Sequence, residues 1–184
     1  GTTKPVGSSW GDPANMKASI EMLHMIAGGE DKWRARPFVF QSNCFVVPPL
    51  RFAPDACLCL ETAALAGMPV FLVSAGQAGA TSPAAIAGSL VQEIAECLAG
   101  LFYLNAVKRG APGIFGPYCF ISDLRTGAMS GGSAEQALLS AAAGADLLTI
   151  GARGVGGFRG LMLGSVSQAC LHHTTVPLAI IRAP

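Results

Sequence analysis

The chain has 184 residues, a net charge of +1, only 12% charged residues and 51% hydrophobic ones. The length suffices for one domain with a sizeable core, and near-neutral charge without a basic cluster excludes a nucleic-acid surface. Ordinary soluble domains carry roughly 25% charged residues, so part of the apolar surface is expected to meet a partner, a missing part of the same fold or a second copy.

At the N-terminus, Gly1-Thr2-Thr3-Lys4-Pro5 lacks a basic head followed by an apolar stretch, so it is not a signal peptide. The absent initiator Met reads as an excised or processed segment. Asp12-Pro13 predicts a helix start and Gly28-Gly29 its end, with Ile20, Leu23, Ile26 and Ala27 at helical spacing. Pro37–Gln41 reads as a short buried strand, Pro54–Ala66 as a helix closed by Gly67, and Val70–Val73 as a second strand. Ser82-Pro83 is expected to cap a long helix running to Lys108 or Arg109. Gly113–Phe115 is a third strand, and Ser133–Ala143 a helix with a Ser-x-x-Gln cap signature. Asp146–Ile150 and Leu178–Ile181 are strands flanking a helix that starts at Ser165. These strands are expected to be parallel neighbours in one sheet or partial barrel, since each crossover contains a helix.

No run of about 18 uncharged apolar residues spans a membrane, because Glu93, Glu96, Lys108 and Asp146 interrupt the best candidates. Glu61, Glu93 and Glu96 read as solvated helix faces, and His24 as a packing or surface residue. Cys44, Cys57, Cys59, Cys97, Cys119 and Cys170 form no C-x-x-C pair. They read as buried thiols of a cytoplasmic protein.

Several segments resemble the trimethylamine, more broadly quaternary-amine, corrinoid methyltransferase family. They are Gly1–Pro5, Met22–Glu30, Arg34–Pro37, Ser74–Pro83 and Ser122–Ser133. The likeness covers residues 1–143. It implies part of a (β/α)8 barrel, methyl transfer from an amine, and a separate corrinoid protein as partner. Only about half of such a barrel is supplied, so the resemblance implies that the chain alone is inactive.

From Gly144 onward the sequence changes character. Gly151-Ala152-Arg153-Gly154, nine residues, then Gly164-Ser165 opening a helix places small residues where backbone approaches a bound group. This end, with its closing strand Val176–Arg182, resembles the C-terminal part of universal stress proteins. It implies a flavodoxin- or Rossmann-like βαβ end and an ATP or nucleotide site built from Gly151, Arg153, Gly154, Gly156, Gly157, Gly164, Ser165, Val166 and Ser167. A purely structural Gly-rich turn is the competing reading. The expected organisation is therefore chimeric: a methyltransferase-like segment, 1–143, and a stress-protein-like segment, 144–184, joined near Ala142–Gly144 in one continuous α/β body.

Ligand sites of parallel α/β folds lie at strand carboxyl ends, which makes Asn43, Gln77 and Tyr118 candidate substrate contacts. Loop hydrogen bonding is the plainer role for Asn43 and Gln77, and a local ion pair for Asp123 with Arg125. No tightly bound cofactor and no metal site are expected. Three functions remain open: a fragment of an amine methyltransferase, a nucleotide-binding module, and a structural or designed α/β protein without ligand.

Overall fold

A computed structural model describes residues 4–123, 125–130, 133–144, 148–151 and 178–181. The elements run β1 (Val6–Ser8), α1 (Pro13–Ala27), α2 (Glu30–Ala35), β2 (Val39–Asn43), β3 (Val46–Val47) and β4 (Arg51–Phe52). They continue through α3 (Pro54–Leu65), β5 (Val70–Ser74), β6 (Gln77–Ala78), α4 (Ile86–Val107) and β7 (Gly113–Pro117). Next come β8 (Phe120–Ser122), β9 (Met129–Ser130), α5 (Ala134–Ala142), β10 (Leu148–Gly151) and β11 (Leu178–Ile181). The fold is mixed α/β with mostly parallel pairing. Contacts divide the chain into one unit of Gly1–Ala75 with Ile94–Pro117, and another of Gly76–Glu93 with Tyr118–Pro184.

The first unit is organised by a parallel sheet in the order β1-β2-β5-β7. Both local chemistry and burial explain its helices. Asp12 caps α1 by accepting the Asn15 N–H at 2.9 Å, Pro13 fills the first turn, and Gly28 closes the helix at φ 82°, where a side chain would be strained. Pro54 starts α3 in the same way. Met16, Trp33, Leu60, Met68, Val70, Leu72 and Leu104 then form one buried cluster between the helices and one face of the sheet. Trp33 Nε1 donates to Ala66 O at 3.0 Å, so its buried polar atom is satisfied.

The second unit contains β6, β8 and β9, with β6–β8 parallel and β8–β9 antiparallel. Ser133 caps α5 by accepting the Gln136 N–H at 3.2 Å. β10 and β11 pair in parallel, Leu148 opposite Leu178 through Gly151 opposite Ile181.

Several expectations are corrected. The described strands form four sheets, not one: β2, β5 and β7 are parallel neighbours, whereas β10 and β11 form a sheet of their own. A closed (β/α)8 barrel is not formed by the described residues. The long helix begins at Ile86, three residues after Pro83. Ser82 and Pro83 are occupied instead by Ser89, whose hydroxyl lies 2.8 Å from Ser82 Oγ and donates to Pro83 O at 2.6 Å. Glu93 and Glu96 are not solvated: they are 0% and 1% exposed. By length and composition alone α4 is apolar enough to cross a membrane, but both of its carboxylates accept internal hydrogen bonds. Glu61 is half-buried and accepts from Tyr103 Oη. The first strand and α2 went unread in the sequence.

Candidate functional site

The carboxyl ends of the four parallel strands are the natural place for a ligand. In the first unit these ends are fastened to one another. After β1, Ser9 Oγ donates to Ser42 O at 3.0 Å. Buried Gln41 pairs reciprocally with the backbone of Trp10: its Nε2 donates to Trp10 O at 3.0 Å, and Trp10 N donates to its Oε1 at 3.2 Å. Trp10 Nε1 donates onward to Ser19 Oγ of α1 at 2.9 Å. Asn43, only 4% exposed, donates through Nδ2 to Ala56 O at 2.7 Å, joining β2 to the first turn of α3.

Glu96 does the equivalent for β5. Its Oε2 accepts from Ser74 Oγ, at the last residue of the strand, and its Oε1 accepts from Leu50 N at 2.8 Å. Leu50 sits at φ 55°, an unusual backbone for a non-glycine residue. One carboxylate therefore ties the loop after β2 to the end of β5. A buried charged acceptor with donors on both oxygens is a strong fixture.

In the second unit, Gly76 N donates to Glu93 Oε1 and Gly76 O accepts Phe120 N at 2.9 Å. A Cβ at Gly76 would strike that Glu93 oxygen, so a side chain here would have to displace the carboxylate. The turn after β6 is closed on Gln77: its N donates to Thr81 Oγ1 at 2.9 Å, and its O accepts from Ala80, Thr81 and Ser82.

The candidate contacts thus meet different fates. Asn43 is buried and bonded within the first unit. Gln77 lies opposite Phe120 across the β6–β8 pairing, and Tyr118 packs edge-on against Phe120 at 4.9 Å while 47% exposed. These two belong to the second unit. Gly151 ends β10. Arg153, Gly154, Gly156, Gly157, Gly164, Ser165, Val166 and Ser167 lie outside the described residues. Asp123 and Arg125 form a local pair, 3.8 Å apart, and Asp123 Oδ1 also accepts Arg125 N at 2.9 Å.

Cys44 is exposed, against the expectation of burial; the thiols of Cys57 and Cys59 are buried and free, and burial pushes both above the usual thiol range, so neither is a poised nucleophile. The Tyr103 phenol is pushed up to about 12, first by its hydrogen bond to Glu61 and then by burial. Among the described residues no cluster of three or more His, Cys, Asp or Glu is placed to hold a metal ion. Gln41, Glu93 and Glu96 are the polar residues that sequence reasoning missed. The one available signal was that α4 carries no other charge, so its two glutamates, three residues apart, had to share a face.

Comparison with known proteins adds a family. The trimethylamine methyltransferase (MTTB) family model matches residues 1–157, running past the expected join at Ala142–Gly144. The trimethylamine methyltransferase MttB of Desulfitobacterium hafniense is 35% identical over 127 residues, 69% of this chain and 25% of that protein. A glycine betaine methyltransferase of the same species is 36% identical over 124 residues, 67% of this chain and 26% of its own length. A trimethylamine methyltransferase of Methanosarcina mazei is 34% identical over 127 residues, 69% of this chain and 26% of its own. The chain therefore spans about a quarter of the length of the curated relatives it matches. A solved universal stress protein in complex with cAMP overlaps 70% of this chain and 84% of its own at 19% identity and a TM-score of 0.28, too low to bear on the fold. With the family model matched across 157 residues and relatives at 34–36% identity, the chain belongs to the trimethylamine methyltransferase family.

Proposed function

We propose that the chain is a segment of a trimethylamine or quaternary-amine:corrinoid methyltransferase and that alone it transfers no methyl group. The family match over residues 1–157 carries this reading. A separate corrinoid protein in the cytoplasm is the methyl acceptor in this scheme. The chain's own contribution is the interlocked set of strand ends in its first unit, which fixes backbone geometry near a bound amine. Methyl transfer needs a reacting pair held in line and shielded from water. With roughly a quarter of its relatives' length, the chain lacks the surroundings to do either. Purified chain incubated with trimethylamine or glycine betaine and a cob(I)alamin carrier protein is expected to leave the carrier unmethylated. Methylated carrier in that assay refutes the inactivity.

A second reading attaches to the C-terminal end. The Gly151–Ser165 loop leaves the carboxyl end of β10, which is paired in parallel with β11, the position from which α/β ligand loops depart. In this reading residues 144–184 are a stress-protein-like segment joined to the methyltransferase-like one. Backbone N–H groups of Gly154–Gly157 and Ser165–Ser167 hold the phosphates of ATP, with Arg153 beside them. Gly164→Val is expected to abolish binding while the fold survives, because a β-branched side chain takes the phosphate's space. Amide shifts on titrating ATP, ADP and inorganic phosphate test it; unmoved loop amides at millimolar ligand leave the segment a turn.

A further inference from the structure

We draw no further inference here: the strongest candidate, the exposed apolar surface patch of Leu98 and Phe102 on the outward face of α4, carries nothing because nothing in the structure shows what covers it.

Discussion

The two faces of the first unit's sheet are built on different principles. On the helix side, Leu60, Val70, Leu72 and Trp33 are completely buried and interlock among α1, α2 and α3. On the other side, Phe40 and Phe71 are half-buried and rest on glycines. The difference separates what holds the unit together from what shapes a surface. Burial removes apolar area from water wherever it occurs, and among the described residues of this sheet it is complete on the helix side and partial at the two rings.

The largest test of this contrast is Leu60→Ala, expected to destabilise by about 2–5 kcal/mol because a rigid cluster leaves a cavity. Phe71→Ala is expected to cost less despite removing a bigger side chain, because its ring is only half-buried. Urea denaturation of both variants decides the matter; equal losses would erase the distinction between the faces. Next comes the polar rim of the helix side. Glu96→Leu strands the buried Ser74 hydroxyl, at about 1–3 kcal/mol, and releases the N–H of the exposed Leu50. Amide exchange should quicken at Leu50 specifically, which a uniform loss of stability would not produce.

A smaller effect is expected at the entrance to α1. Asp12→Ala removes the acceptor for the Asn15 N–H and should cost about 0.5–2 kcal/mol by thermal melting. The smallest is a pH dependence. The folded Tyr103 holds its proton to about 12 against an ordinary value of 10. The neutral phenol is thus favoured in the folded state, and its contribution is complete below pH 10 and lost as pH rises through about 12. Spectroscopic titration of the phenols should show one titration move down in Glu61→Gln. No movement would mean that the Glu61 contact does not control that proton.

Much of the first unit was legible in the sequence because its signals were local. Asp12-Pro13 and Gly28 bracket α1, Pro54 opens α3, and the apolar runs at β2, β5 and β7 need both faces covered. The strand β1 was not legible, since three residues among glycine and serine carry no periodicity. It exists because Val6 N reaches Phe38 O at 2.9 Å and because Gln41 catches Trp10 beyond its end. The glutamates of α4 were misread for a related reason: charge predicts solvent only when no buried donor waits for it, and those donors lie 17 to 46 residues away in sequence. The resemblance to amine methyltransferases was readable from motifs and agrees with the family match. Of the candidate contacts, Asn43 proved to be occupied internally, a fact no spacing rule carries.

The Gln41–Trp10 pair has a consequence for which sequences this fold tolerates. A glutamine side chain there acts as an added rung between strands, offering one donor and one acceptor to a single residue's backbone. Glutamate would bring no donor, asparagine would fall one methylene short, and leucine would leave both Trp10 groups unmatched. Drift at this position is therefore confined by stereochemistry even where no ligand is touched, and an insertion between Ser8 and Trp10 would put the wrong backbone groups before the amide. A variant library at residue 41, sorted for folded protein, should return glutamine almost alone.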